Sequence, residues 1–234
     1  VICGYARTPF GRFRGALSSY SAVELGIRAV EELLRRTGID PSGGEIDQVY
    51  MGQVLQAGAG QAPARQVALG CGMPNSTSCT TINKVCGSSL KAVMIAASEI
   101  RAGVSELVVA GGMESMSNAP RFIREARRGE DVPFKSLLSI LSHDGLTDAF
   151  SGELMGNTGE TCALEYEISR EESDAYSLRS HKLSAKGWEN GGIEKECVSM
   201  EELSIDEGIR QDADMSTLTL SLIHISEPTR PIHI

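Results

Sequence analysis

A cysteine between two apolar segments is the residue of this chain best placed for nucleophilic chemistry. Cys86 follows a strand-like segment that begins at Ser78, and a helix is predicted to start directly after it, at Gly87. The N–H groups at a helix N-terminus carry a partial positive charge, which favours a thiolate and can bind an oxyanion. Gly87 lets a ligand approach the backbone closely, and Ser88 and Ser89 supply short polar groups. This arrangement suits a nucleophile that forms a thioester.

The local pattern around Cys86 also leaves a structural role open. Free cysteine is one of the most buried residue types, and the chain has six cysteines in all. A cysteine nucleophile also needs a base, which is usually a histidine. His143 and His181 lie in the well-patterned part of the chain, but neither has a supporting motif. Because solvated and core histidines are common, we assign neither of them as the base.

A second candidate segment, Gly111 to Ser117, places two glycines after the strand-like segment Glu106–Ala110. Its spacing is neither GxGxxG nor that of a P-loop, so it does not predict a phosphate site. The carboxyl ends of parallel strands are nevertheless where α/β sheets place their sites. A tight turn is the plain alternative, and Met113 and Met116 either line an apolar slot or pack in the core.

Hydrophobic periodicity and helix caps predict the elements that position these segments. Ser21 to Glu24 forms a capping box, and Gly38 ends the helix that follows it. The other predicted elements are strands at Val1–Ala6, Ile46–Leu55, Ser78–Ile82 and Glu106–Ala110, and helices at Gln61–Leu69 and Gly87–Arg101. The last helix has apolar or small residues nearly all round, which predicts that a core encloses it. Alternating strands and helices predict an α/β fold with a mainly parallel sheet that is covered on both faces.

The composition changes after the first half of the chain. Between residues 160 and 207 there are 13 acidic and 5 basic residues, which accounts for nearly all of the net charge of −9. Arg121–Lys135 is a mixed-charge segment that predicts an exposed excursion, and Glu160–Glu189 is predicted to be an acidic helical segment. We therefore expect three parts, which are a core domain over 1–119, a mostly helical insertion over 120–220 and a tail without clean periodicity over 221–234.

Composition also argues against several classes of partner. The net charge of −9 disfavours binding to nucleic acid or to an anionic membrane surface. The chain contains no run of 18 apolar residues, so no membrane span is predicted. The cysteines show no CxxC pair and predict free thiols in a reducing compartment, cytoplasmic by default. A targeting segment before Val1 would instead direct the protein to mitochondria or peroxisomes.

Five segments, in this order, give the chain a resemblance to the thiolase family. They are Arg7–Gly11, similar to the family's opening strand and loop; Asn83–Ala92, similar to its nucleophile segment; Gly111–Ser117, similar to its second N-terminal signature; and Asp144–Phe150 with Met155–Gly156, similar to its loop domain. The resemblance extends from Val1 to about Leu218. It implies a layered α/β fold in which this chain holds the first half of a duplicated, mainly parallel sheet and most of a loop-domain insertion.

The resemblance also implies acyl transfer to and from coenzyme A through a thioester on Cys86, which forms or cleaves a 3-ketoacyl-CoA such as acetoacetyl-CoA. The Cys86 N–H is then one oxyanion donor, Leu146 and Met155 line the pantetheine channel, and Arg210 contacts the adenine end of coenzyme A. Leu154 stands where family members often carry a histidine. Coenzyme A esters are substrates, so neither a cofactor nor a metal is expected, and the complete protein is expected to be a homodimer or homotetramer.

The resemblance further implies that part of the catalytic machinery lies elsewhere. The family's base histidine (Gly-His-Pro), its asparagine (Asn-Glu-Ala-Phe) and its second cysteine (Cys-x-Gly) belong to the C-terminal half, and none of these motifs occurs in the sequence. The tail over 221–234 resembles translated sequencing-adapter sequence, so we expect the natural protein to continue with that half. The 234-residue chain is then a fragment that is inactive alone.

Two alternatives to a thiolase remain open at this point. One is another condensing enzyme of the same fold, similar to the ketoacyl synthases, which would depend on an acyl-carrier protein. The other is a non-catalytic thiolase-like protein that binds lipid or acyl-CoA, against which the presence of Cys86 argues.

Overall fold

A computed structural model defines residues 1–123 and 133–218 of the chain. Its centre is a fully parallel sheet of three strands, β1 (Gln48–Gly52), β2 (Ser78–Ile82) and β3 (Val108–Gly112). Strand β1 lies in the middle and pairs with β2 on one side and with β3 on the other. Three helices connect the strands or precede them, α1 (Ala22–Thr37), α2 (Pro63–Gly70) and α3 (Ser88–Ala102).

Side chains of the central strand alternate between two buried faces of the sheet. Val49 and Met51 belong to a core cluster formed with α1 and α2. Tyr50 points to the opposite face and packs with Ala92 and Ala96 of α3. Both faces of the sheet are therefore covered by helices, and the predicted α/β fold with a parallel sheet is confirmed.

The sequence signals at the ends of α1 act as predicted. The hydroxyl of Ser21 accepts the Glu24 N–H at 3.2 Å, and the Glu24 carboxylate accepts the Ser21 N–H at 2.8 Å. Gly38 ends the helix in the left-handed conformation, with a φ of 71°. These two caps fix where α1 begins and ends, while its buried residues Ala22, Val30 and Leu34 pack in the core cluster against the sheet.

The second part of the chain combines a short hairpin with two helices. Its elements are β4 (Arg121–Phe122), β5 (Leu138–Ser139), a π-helical turn (Leu141–Gly145), α4 (Met155–Glu165) and α5 (Arg170–Glu189). The acidic helical segment is thus two helices, and Glu167 in the connection between them has a positive φ of 54°. The start of the predicted excursion, Arg121–Lys135, forms β4 and pairs with β5, which lies just beyond its end. Residues 124–132 of the excursion and the tail over 221–234 lie outside the described residues. No helix in the described part is long and apolar enough to cross a membrane.

The strand predicted at Val1–Ala6 is wrong. Val1 and Ile2 are exposed, and within residues 1–123 and 133–218 they belong to no ladder. Pairing begins at Arg7, whose N–H donates to the Glu196 carbonyl at 2.9 Å and whose carbonyl accepts the Val198 N–H at 2.7 Å. An apolar run forms a strand only where a neighbouring edge supplies hydrogen-bond partners, and no such edge lies beside residues 1–6 in the described part of the chain.

The prediction that a core encloses α3 is also wrong for this chain. Ala92 and Ala96 are buried against the sheet, but Leu90, Val93 and Met94 on the remaining surface of the helix are exposed. Leu90 is 68% exposed, although burying a leucine side chain contributes about 1.5–3 kcal/mol. The apolar sequence of α3 therefore specifies a second packing surface that the described residues leave uncovered.

We expect the 234-residue chain to self-associate through this exposed surface of α3. The double substitution Leu90→Glu and Met94→Glu removes apolar area and adds like charges, so it should raise the monomer fraction in sedimentation velocity. Leu164→Glu is the control, because Leu164 on α4 is 82% exposed but lies outside this surface. A wild-type chain that sediments as a single monomeric species would contradict the prediction.

Candidate active site

Cys86 lies at the N-terminus of α3, two residues before the first helical residue. Its side chain is exposed. Among residues 1–123 and 133–218, no hydrogen bond involves the Cys86 N–H or Sγ. The Gly87 and Ser88 N–H groups already donate to the Lys84 and Val85 carbonyls at 3.1 Å, so the donor that this terminus offers beside the sulfur is the Cys86 N–H itself. Cys86 thus combines an accessible thiol with a hydrogen-bond donor for an oxyanion.

A strained turn presents Cys86. Val85 has a positive φ of 48°, which a β-branched residue rarely adopts and which costs about 1–3 kcal/mol. Its N–H donates to the Asn83 side-chain oxygen at 2.9 Å, and its carbonyl accepts the Ser88 hydroxyl at 2.6 Å. The same Ser88 oxygen accepts the Lys84 N–H at 2.8 Å. These three hydrogen bonds hold the turn in a conformation that its sequence does not favour.

Two glycines allow the start of α3 to lie directly against the sheet. A Cβ at Gly52, the last residue of β1, would lie 2.7 Å from backbone atoms of Ser88 and Ser89. A Cβ at Gly112, the last residue of β3, would overlap the Ser89 hydroxyl and lie 3.1 Å from the Gly52 carbonyl oxygen. The segment Gly111 to Ser117, which predicted a turn at a strand end, thus has a second role. Its Gly112 leaves room for the first turn of α3, which directly follows Cys86 and Gly87.

Cys86 opens into a cleft of about 610 Å³ at the carboxyl ends of β1 and β3. Its lining includes Ser89 of α3, Met113 and Met116 after β3, and Leu146 from the second part of the chain. Met113 is buried and belongs to the core cluster, and it also lines the cleft. The two alternatives for this residue, an apolar slot and core packing, are therefore adjacent parts of one structure. The cleft therefore lies where the fold class places binding sites.

The structure brings only some of the residues implied by the resemblance into this cleft. Leu146 lines it together with Cys86. Met155 is next to Leu146 through a backbone hydrogen bond of 2.9 Å, but it is not a lining residue. Arg210 lies apart from the cleft, and its N–H donates to His181 Nδ1 at 3.3 Å.

The two histidines of the described part also lie outside the cleft lining. His143 contacts the Asp144 carboxylate through Nδ1, and its ring packs edge-on against Phe122. His181 accepts the backbone N–H of Arg210. Over residues 1–123 and 133–218, no group of three or more histidine, cysteine or acidic side chains is arranged to hold a metal ion. The described residues therefore place the exposed Cys86 thiol in the cleft but no histidine beside it.

Burial separates Cys86 from several of the other cysteines, all of which carry free thiols. Desolvation raises the pKa of Cys71 to about 12, and it also raises the pKa of Cys79 and Cys197. A raised pKa leaves less thiolate at neutral pH and makes these thiols poor nucleophiles. Cys162 is exposed, but it lies inside a helix and away from the cleft.

Glu114 is a residue of the cleft that the sequence did not single out. Its Oε2 accepts the N–H of Val54 at 2.8 Å and the N–H of Leu55 at 3.2 Å, which ties the segment after β1 to the segment after β3. Its Oε1 is buried and has no hydrogen-bond partner in the described part. Hydrogen bonds to a charged group contribute about 1.5–3 kcal/mol. The available signal was an acidic residue two positions after a strand of the sheet, where a carboxylate needs donors.

Gly52→Ala tests the close approach between α3 and the sheet. The added Cβ forces backbone atoms at the start of α3 to move, so we expect a loss of about 1–3 kcal/mol in the free energy of unfolding. Gly159→Ala in α4 is the control, because no atom lies within 4 Å of the added Cβ. Urea denaturation measures both variants, and equal stability of Gly52→Ala and wild type would contradict the packing described.

Glu114→Ala tests the carboxylate tether, because it leaves the Val54 and Leu55 N–H groups without an acceptor. We expect the free energy of unfolding to fall by about 1–3 kcal/mol, and to fall less in Glu114→Gln, which keeps an oxygen acceptor. Glu153→Ala removes an exposed carboxylate and serves as the control. The tether would be refuted if Glu114→Ala and Glu153→Ala unfolded at the same urea concentration with the same slope.

Comparison with known proteins agrees with this geometry. A family model described as the thiolase N-terminal domain matches residues 1–222. The acetyl-CoA acetyltransferase 2 of Arabidopsis thaliana is 47% identical over 200 residues, which are 86% of this chain and 49% of that protein. The probable acetyl-CoA acetyltransferase of Escherichia coli K12 is 45% identical over 214 residues, 92% of this chain and 54% of that protein.

A solved structure is similar over the same extent. The Acat5 thiolase from Ascaris suum, crystallised in complex with coenzyme A, superposes with a TM-score of 0.84 at 36% identity and covers 94% of this chain. The match covers 56% of that protein, and the chain likewise spans about half the length of the curated relatives. The fold, the order of the motifs and these similarities agree, and the chain belongs to the thiolase family.

Proposed function

We propose that the chain is the nucleophile-bearing half of an acyl-CoA acyltransferase, specifically an acetyl-CoA acetyltransferase that forms or cleaves acetoacetyl-CoA. The observation that carries this proposal is the exposed Cys86 at the N-terminus of α3, inside the cleft and with its backbone N–H available to a ligand. Relatives at 45% and 47% identity are named acetyl-CoA acetyltransferases, which supports this substrate class.

The first half-reaction transfers the acyl group to Cys86. The Cys86 sulfur attacks the thioester carbonyl, and the Cys86 N–H stabilises the oxyanion of the tetrahedral intermediate. Collapse of this intermediate breaks the bond between the carbonyl carbon and the coenzyme A sulfur. Coenzyme A then leaves as a thiol with the proton that the Cys86 thiol lost, and a thioester remains on Cys86.

In the first half-reaction the leaving coenzyme A thiolate is the final acceptor of the Cys86 proton, whereas the second half-reaction needs a separate base. In the synthetic direction an enolate of a second acetyl-CoA attacks the Cys86 thioester, so a proton must leave the carbon next to its carbonyl. Neither His143 nor His181 lies in the cleft. We assign this base to the half of the protein that the relatives have and this chain does not cover. The same half is our proposed cover for the exposed surface of α3, and the complete protein is proposed to be a homodimer or homotetramer.

Coenzyme A is proposed to run from the cleft across the second part of the chain. Leu146 lines the cleft and supports a contact with pantetheine, and Met155 adjoins Leu146 through the backbone. Arg210 lies outside the cleft, which is compatible with a contact at the far, adenine end of so long a ligand. These roles make coenzyme A esters the substrates.

Acetylation of Cys86 tests the proposal. We expect incubation of the 234-residue chain with acetyl-CoA to add one acetyl group to the Cys86 peptide and to release an equal amount of coenzyme A thiol, without continued turnover. Mass spectrometry of the digested protein locates the acetyl group, and thiol titration measures the release. Cys86→Ser should abolish both, while Cys162→Ser, which removes another exposed thiol, should leave them unchanged.

Two results would contradict the proposal. Acetyl groups distributed equally over Cys3, Cys86 and Cys162 would remove the special role of Cys86. Sustained thiolysis of acetoacetyl-CoA by the purified chain would refute the assignment of the base to the other half of the protein.

A further inference from the structure

One wall of the cleft is a segment without regular secondary structure. Residues 6–13 line the cleft, and no helix or strand includes them. Pro9 is fully buried in this wall, while Phe10 is 67% exposed and Phe13 is 47% exposed. Beyond the backbone pairing of Arg7 with Glu196 and Val198, no helix or strand fixes its backbone, so the shape of this wall depends on hydrogen bonds from other parts of the chain.

Asp206 supplies the first set of these bonds. Its two carboxylate oxygens accept the Arg7 guanidinium at 2.7 and 2.9 Å, and Oδ1 also accepts the Phe10 N–H at 2.8 Å. The Trp188 indole donates to Oδ2 at 3.2 Å. Burial acts to raise the pKa of Asp206, but the hydrogen bonds from Arg7 and Phe10 outweigh it and hold that pKa below its ordinary value. Asp206 is therefore a charged acceptor with partners on both of its oxygens.

Glu207 supplies the second set. Its Oε2 accepts the Arg12 N–H at 2.8 Å and the Ala16 N–H at 3.3 Å, and its own N–H donates to the Phe10 carbonyl at 2.9 Å. A Cβ at Gly15 would overlap this carboxylate and lie 2.8 Å from its Cδ, so only glycine leaves room for the carboxylate inside the loop. Two consecutive acidic residues therefore hold the backbone of the wall at Phe10 and Arg12, and also the backbone at Ala16, just after the wall.

We propose that Asp206 and Glu207 are positioning residues for acyl transfer, which hold the cleft wall in the conformation that aligns an acyl-CoA thioester with Cys86. The inference rests on the proposed function of Cys86. Neither carboxylate needs to touch the substrate, because each acts through the backbone of the wall. The pair also precedes Arg210 by only a few residues, so it connects the proposed adenine contact to the wall of the cleft.

Two labelling reactions on the 234-residue chain distinguish a positioning role of the two carboxylates from a role in general stability. Acetyl transfer from acetyl-CoA requires an aligned thioester, whereas alkylation by iodoacetamide requires only an accessible thiolate. In Asp206→Asn and Glu207→Gln we expect the rate of acetyl transfer to Cys86 to fall at least about tenfold and the rate of alkylation to stay within about twofold. Gly15→Ala should have the same effect, because it displaces the Glu207 carboxylate without removing a charge.

Two controls match these variants. Gly208→Ala is adjacent in sequence and meets no atom within 4 Å, and Glu165→Gln neutralises an exposed carboxylate on α4. Both should react like wild type with both reagents. If Asp206→Asn does not fold, Glu207→Gln and Gly15→Ala provide the same comparison.

The remaining outcomes distinguish the positioning role of Asp206 and Glu207 from the proposed function of Cys86. Acetyl transfer that is unchanged in all three variants would overturn the positioning role and leave the role of Cys86 intact. Equal losses in acetyl transfer and alkylation, together with a lower thermal midpoint, would also overturn it, since they indicate a structural role alone. Absence of acetyl transfer to wild-type Cys86 would overturn the proposed function and the inference with it.

Discussion

The first turn of α3 lies in contact with the ends of β1 and β3, and the position of Cys86 follows from that contact. Gly52 and Gly112 make it possible, because a single Cβ at either position would occupy space that Ser88 or Ser89 fills. Ser88 then fixes the preceding turn with two hydrogen bonds and keeps Val85 at a positive φ. The site thus combines a packed scaffold with a local backbone strain that the scaffold stabilises.

The rest of the cleft is held by carboxylates that accept backbone N–H groups. Glu114 ties the segment after β1, while Asp206 and Glu207 tie the N-terminal segment that forms one wall. Irregular backbone near a site needs such acceptors, because it has no ladder partners of its own. Several segments of the cleft are thereby held in place by groups distant in sequence. Carboxylates of the second part of the chain, together with backbone hydrogen bonds such as those of Arg7 with Glu196 and Val198, connect that part to the core.

Local signals predicted much of the fold and the position of Cys86 before a helix. The capping box at Ser21, the strand at Ser78–Ile82 and the placement of Cys86 before a helix all depend on neighbouring residues and are present in the structure. The Glu114 tether was not predictable in this way, because its acceptor and donors are about sixty residues apart in sequence. The apolar pattern of α3 indicated two surfaces suited to burial, one of which packs on the sheet. The pattern contained no information on whether residues of this chain would cover the second surface.

The central claim is that the fold makes Cys86 the reactive thiol of the chain. The most direct measurement is the alkylation rate of each cysteine in the native chain near pH 7, resolved by peptide mass spectrometry under limiting reagent. The account predicts that Cys86 reacts at least about tenfold faster than the exposed Cys162 and that this advantage disappears in concentrated urea. Equal rates for Cys86 and Cys162 in the native chain would contradict it.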